Sequence, residues 1–190
     1  MLTFKNIYEI NNRKEIENLY NEAFPKEERL PFYFLIRAAR RENIKFDIIY
    51  EEDKIIGLTY SLVYENSIYL LYFAVNSSYR GRGYGGKILE EYRNKYKEYN
   101  IILVIEEVNN KAKNFEEREK RKKFYLKNGF YGLNSYLIDK KVTYEFLSTN
   151  ANIEMDEILL KNLFKQMINP ILRFLIKFYK INIETRNKCS

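Results

Sequence analysis

A chain of 190 residues, 46% hydrophobic and 31% charged, can bury one sizeable core, which excludes a disordered or fibrous protein. The net charge of +7 is local: residues 111–123 hold seven Lys/Arg against three Glu and residues 170–190 five against one, leaving −1 elsewhere and no case for nucleic-acid binding. With no histidine and a single cysteine, Cys189, the chain has no internal disulfide, zinc site or histidine-based triad, so acid–base work falls to Glu, Asp, Tyr, Lys or water.

The predicted elements follow in order. Leu2 to Ile10 reads as a strand, and Arg13 to Phe24 as a helix with Ile16, Leu19, Tyr20, Ala23 and Phe24 on one face. Pro25 ends that helix, and Pro31 opens a second with Phe32, Leu35, Ile36 and Ala39 inward. Lys45–Tyr50, Lys54–Tyr64 and Ile68–Val75 are strands joined by hairpins. A glycine-rich stretch, Arg80 to Gly86, precedes a helix reaching about Tyr99, and Ile101 to Ile105 is the next strand. Asn114 caps a charged helix that ends near Asn128-Gly129, followed by closing strands Tyr131–Ile138 and Val142–Leu147. A helix then turns Met155, Ile158, Leu159, Leu163 and Met167 inward, and Asn169-Pro170 breaks it before a basic amphipathic segment. Hairpins first and a helical crossover second argue for an α/β domain on a mixed sheet.

Four of the chain's seven glycines lie in Arg-Gly-Arg-Gly-Tyr-Gly-Gly, residues 80–86. Strand, glycine loop and helix start in that order form a phosphate cradle: backbone N–H groups converge, the helix dipole attracts an anion, and missing Cβ atoms let it approach. Gly81, Gly83 and Gly86 spell a dinucleotide fingerprint, with Glu106 about 20 residues on. That reading fails on context, since Asn76 to Arg80 separate the first glycine from its strand and too few strand–helix units follow. A glycine turn without a ligand is the remaining plain alternative.

Arg80-x-x-Gly83-x-Gly85 resembles the acyl-CoA signature of the GCN5-related N-acetyltransferases (GNAT), and Tyr125-Leu126-Lys127-Asn128-Gly129-Phe130 resembles the family's Tyr-x-x-x-Gly-Phe segment. The likeness runs from about Leu2 to Leu147. It implies a mixed, mostly antiparallel central sheet flanked by helices, with an acetyl-CoA-binding domain over 1–150 and a C-terminal helical extension over 151–190 packed on the domain or on a second subunit. It also implies acetyl-CoA as acyl donor: pyrophosphate on the backbone of Arg80, Gly81, Arg82, Gly83, Tyr84 and Gly85, and pantetheine along Phe73, Ala74 and Val75, where that strand splays from its parallel neighbour. A Val75 N–H would polarise the thioester. The activity implied is acetyl transfer to a primary amine of a small molecule or protein by direct attack; the alternative is a non-catalytic acyl-CoA sensor on the same fold.

Tyr125 is the expected acid for the departing thiolate. Glu106 is the candidate base, directly or through water, with Glu107 pointing the other way, and Glu27 and Glu28 are candidates for recognising the acceptor. Each of these carboxylates reads equally well as a solvated surface group. Many family members carry Asn-x-x-Ala-x-x-Leu-Tyr, where this chain has Arg118, Arg121 and Phe124 at the matching positions. The plainer reading of the two arginines is an exposed helix face laced with Glu116 and Glu117; Asn109, Asn110 or Asn114 could take the missing asparagine's place. Residues 170–181 suit packing on the domain or in a homodimer ahead of peripheral membrane contact. With no spanning segment or signal-peptide layout, a cytoplasmic location is expected, with no nucleic-acid partner and no metal.

Overall fold

A computed structural model describes residues 1–139, 142–166 and 182–186. Its elements are β1 (Leu2–Asn6), α1 (Arg13–Ala23), α2 (Phe32–Ala38), β2 (Ile44–Glu51), β3 (Lys54–Tyr64), β4 (Ser67–Val75), α3 (Tyr84–Lys95), β5 (Asn100–Glu106), α4 (Phe115–Lys127), β6 (Tyr131–Asp139), β7 (Val142–Ser148), α5 (Glu157–Lys165) and β8 (Asn182–Thr185). The strands form one mostly antiparallel sheet in the order β1-β2-β3-β4-β5-β7-β6-β8, the architecture expected from the hairpins and crossover. The chain divides into two compact units, Met1–Val63 with Leu70–Lys97, and Tyr64–Tyr69 with Glu98–Ser190.

In the first unit β1 stops at Asn6, short of the expected Ile10. The Asn6 side chain accepts from the Tyr8 N–H at 3.0 Å and the Glu9 carboxylate accepts from the Asn6 N–H at 2.9 Å, so a capping box turns the chain into one tight helical turn. Strand alternation then splits β2 between two layers. Phe46 meets Phe32 of α2 and Tyr60 of β3, with ring centroids 5.9 and 5.1 Å apart. Its neighbour Asp47 is buried on the α3 side, where Lys95 Nζ at 3.0 Å and the Tyr96 hydroxyl at 2.9 Å satisfy it. Ile49, Ile56 and Ile88 form the core between sheet and α3, with Phe73, Val75, Tyr79 and Tyr84 packed against them. Each such isoleucine contributes about 1.5–3 kcal/mol by burial, which fixes α3 and the loop that enters it.

In the second unit the start of β4 pairs in parallel with β5, Ser67 with Asn100 through Tyr69 with Ile102. β5 then pairs antiparallel with β7 from Ile102–Ser148 to Glu106–Tyr144. β6 carries an irregularity between Gly132 and Tyr136, with Asn134 left-handed at φ 54°; beyond it, Ser135 to Ile138 pair with β8. The extension expected to be helical over 151–190 therefore contains a strand. Four residues are too few to show an alternation pattern, and the backbone of β6 supplies the partner instead. α5 begins at Glu157 because the Asp156 carboxylate caps the Leu159 N–H at 2.7 Å. Within the helix Leu160 and Leu163 are buried and Ile158, expected inward, is 69% exposed. Met167, the segment 170–181 with its expected subunit or membrane contact, and Cys189 lie outside the described residues. No helix among the described residues is long and apolar enough to cross a membrane.

Candidate acyl-CoA site

The expected donor loop lies wholly in the first unit. β4 ends at Val75, and Asn76 turns the chain: its side-chain N–H donates to the Ile55 carbonyl at 3.1 Å, and its side-chain oxygen accepts from the Ser78 N–H at 3.1 Å. A single helical turn, Ser77–Tyr79, fills the five-residue gap that argued against a dinucleotide fold. The Arg80 guanidinium then donates from Nε to the Val75 carbonyl at 3.0 Å, tying the start of the loop to the end of the strand. Gly81 and Gly83 are left-handed at φ 75° and 80°, and a Cβ at either would meet nothing within 4 Å. Gly83 is the residue before α3, so the N–H groups of Gly83, Tyr84, Gly85 and Gly86 have no intrahelical acceptor. A helix start whose first N–H groups lack intrahelical acceptors, beside two glycines with open space at Cβ, suits a pyrophosphate, and the residues present fit the group expected there.

Two contacts that sequence reading missed steady this loop. The Tyr84 hydroxyl donates to Glu51 at the end of β2, and the Tyr79 and Tyr84 rings meet edge-on at 5.7 Å. Arg82 lies over the Tyr79 ring at 5.9 Å and Lys87 over the Tyr84 ring at 5.2 Å, which keeps cationic groups beside the loop. Glu27 and Glu28, also in the first unit, are exposed on a short turn between Pro25 and Pro31.

The other expected site residues lie in the second unit. Both oxygens of Glu106 are engaged: Oε1 accepts from Arg118 at 2.7 Å, and Oε2 from Asn114 at 3.2 Å and Arg121 at 3.3 Å. Arg118 also donates to the Asn114 side-chain oxygen at 2.8 Å and to the Glu107 carbonyl at 2.9 Å. Arg118 is thus inward, paired with Glu106, and is not the exposed face laced with Glu116 and Glu117 that the sequence suggested. Asn114 sits at the expected cap position, but its side chain bridges Glu106 and Arg118 and caps nothing. These bonds tie α4 to the end of β5 through Glu106. Glu107 accepts from Arg186, just past β8, at 2.5 Å, and Arg186 also covers the Tyr136 ring at 4.3 Å.

No side chain of α4 is fully buried, and ion pairs do much to hold it. Besides Arg118, Lys122 reaches both oxygens of the buried Glu145, at 2.9 and 2.7 Å. On the last turn Tyr125 packs between the rings of Phe124 and Phe130, at 5.2 and 5.6 Å. Burial pushes its hydroxyl up to about 12, with Arg121 pulling weakly the other way. Tyr125 therefore stays protonated at neutral pH, as an acid or hydrogen-bond donor must. No group of carboxylates or cysteines that could hold a metal is present among the described residues.

A model of the acetyltransferase (GNAT) family matches residues 13–130. The chain belongs to the GNAT family. A structure from Bacteroides thetaiotaomicron assigned to the same family aligns with a TM-score of 0.67 at 22% identity, over 95% of this chain and 99% of that one. The ribosomal-protein-S18-alanine N-acetyltransferase of Escherichia coli gives 0.56 at 14% identity, over 83% and 98%. An aminoglycoside 6'-N-acetyltransferase complexed with coenzyme A gives 0.63 at 12% identity, over 82% and 99%. At these identities the likeness carries the GNAT fold alone. No curated protein matches the chain.

Proposed function

We propose that this GNAT protein transfers an acetyl group from acetyl-CoA to a primary amine of a small molecule or protein by direct attack. The observation that carries the reading is the donor loop: left-handed Gly81 and Gly83, each with open space at Cβ, bring the chain from β4 into α3, whose first N–H groups have no intrahelical acceptor. Arg80 to Gly85 would hold the pyrophosphate, and Phe73-Ala74-Val75 the pantetheine arm. Solved GNAT structures with coenzyme A or acetyl-CoA bound support the choice of donor.

In the proposed reaction the amine nitrogen bonds to the thioester carbon, the C–S bond breaks, and the amine proton passes to water. The Val75 N–H is assigned to the developing oxyanion and Tyr125 to the departing sulfur. A phenol near 12 cannot hand its proton outright to a thiolate whose thiol has a pKa of about 8.5, so Tyr125 acts as a hydrogen-bond donor that lowers the charge on sulfur. Glu27 and Glu28 are assigned to attracting the protonated amine before it is deprotonated. Glu106, held by Arg118 and Arg121, is assigned to anchoring α4, and water to taking the proton.

The test is thiol release from acetyl-CoA across a panel of amines. Tyr125→Phe is expected to lower kcat by about 10²-fold and to leave the acetyl-CoA Kd nearly as it was. Unchanged turnover would remove Tyr125 from the chemistry. Acetyl-CoA binding with no turnover on any amine would leave the non-catalytic acyl-CoA sensor, and no binding would sink both.

A further inference from the structure

The loop between α1 and α2 is gripped by two tyrosines through three backbone groups, the Glu28 carbonyl and both the N–H and the carbonyl of Leu30. Tyr72, on β4 and 5% exposed, donates its hydroxyl proton to the Glu28 carbonyl at 2.9 Å and accepts from the Leu30 N–H at 3.1 Å. Tyr20, on α1 and 1% exposed, donates to the Leu30 carbonyl at 3.1 Å. The two rings meet edge-on with centroids 5.1 Å apart, and Phe24 closes on Tyr72 at 4.8 Å. Pro25 and Pro31 bound the loop and narrow its backbone choices further. A segment so held is pre-formed, and it presents Glu27 and Glu28 on a fixed frame.

Strand alternation gives this grip a second meaning. Tyr72 points to the helix α1 side, while the next residue, Phe73, and Val75 pack with Ile88 of α3, below the donor loop. One strand thus ties the carboxylate-bearing turn, on one face of the sheet, to the residues assigned to the donor on the other. The geometry points to Tyr72 as the positioning residue that fixes the acceptor-side loop against the donor strand, and so sets affinity for the amine. This rests on the acetyltransfer reading above.

Tyr72→Phe keeps the ring and removes both hydrogen bonds. The Glu28 carbonyl and Leu30 N–H can turn to water, so the loop loosens while the unit stays folded. The acceptor KM is expected to rise about tenfold, consistent with the loss of one or two hydrogen bonds, with the acetyl-CoA KM nearly unchanged and faster hydrogen exchange at the Leu30 amide. Tyr20→Phe, which frees the Leu30 carbonyl, should act in the same direction and serves if Tyr72→Phe does not fold. Tyr92→Phe is the control, because it removes a buried hydrogen bond to Ser61 in the same unit and touches no part of the loop. It is expected to lower Tm without moving the acceptor KM. An acceptor KM that does not move in Tyr72→Phe, or one that moves together with the acetyl-CoA KM or equally in Tyr92→Phe, overturns the inference. A wild-type chain that turns over no amine overturns the acetyltransfer reading itself, which is a different result.

Discussion

Tyr125 and Glu106 show how far a residue's role is set by its neighbours. Tyr125 was legible from the spacing of Tyr-x-x-x-Gly-Phe, and the ring of Phe130 that the pattern names is what encloses it. Burial raises its pKa from 10.0 to about 12, so the neutral form persists to higher pH in the folded chain than in the unfolded one. Two consequences have one sign. The donor role should survive to at least pH 10 in a pH–kcat profile, with no falling limb near that of an ordinary tyrosine. The stability linked to the group, full below pH 10, should be lost as the pH rises towards 12, by chemical unfolding at stepped pH. Glu106 was visible as a carboxylate at a strand end, but its partners Arg118 and Arg121 come from a helix whose docking no local pattern reveals. Glu106→Gln is accordingly expected to lower Tm by several degrees and to keep kcat within about threefold of wild type. A kcat loss of about 10²-fold at unchanged Tm would restore it as a base.

At the scale of elements, the glycine loop between β4 and α3 was legible because it stands between an apolar run and a helical pattern. The tight turns around it were not, since Asn6 and Asn76 redirect the backbone through side-chain bonds that compete with strand and helix. Helix α5 was found, but with Ile158 assigned to the wrong face. Two glycines outside and inside the loop make opposite demands. A Cβ on Gly57 would stand 2.4 Å from the Ala74 carbonyl oxygen, a backbone atom that cannot turn aside. Gly57→Ala should therefore destabilise by about 2 kcal/mol or more in urea unfolding, by opening β3 from β4. Gly83→Ala meets no atom and pays only for its left-handed backbone, about 1 kcal/mol, yet calorimetry should show about tenfold weaker acetyl-CoA binding as the loop relaxes. Equal binding would separate the loop from the donor.

For the molecule as a whole, the order of strands and helices was readable because each hairpin and crossover is announced by turn residues and by period. β8 was not readable, being four residues whose strand character comes from β6. The basic segment 111–123 also changes meaning with the fold. Arg118, Arg121 and Lys122 spend their charge on Glu106 and Glu145, attaching a helix that lacks an apolar stripe, so part of this local positive charge is used within the second unit. The handedness of the donor loop carries a last consequence. Its demand at residue 83 is for a mirror-image backbone and not for room, so size and chirality can be varied apart there. A chain assembled by chemical ligation with D-alanine at that position should bind acetyl-CoA more tightly than the L-enantiomer, which has the same number of atoms.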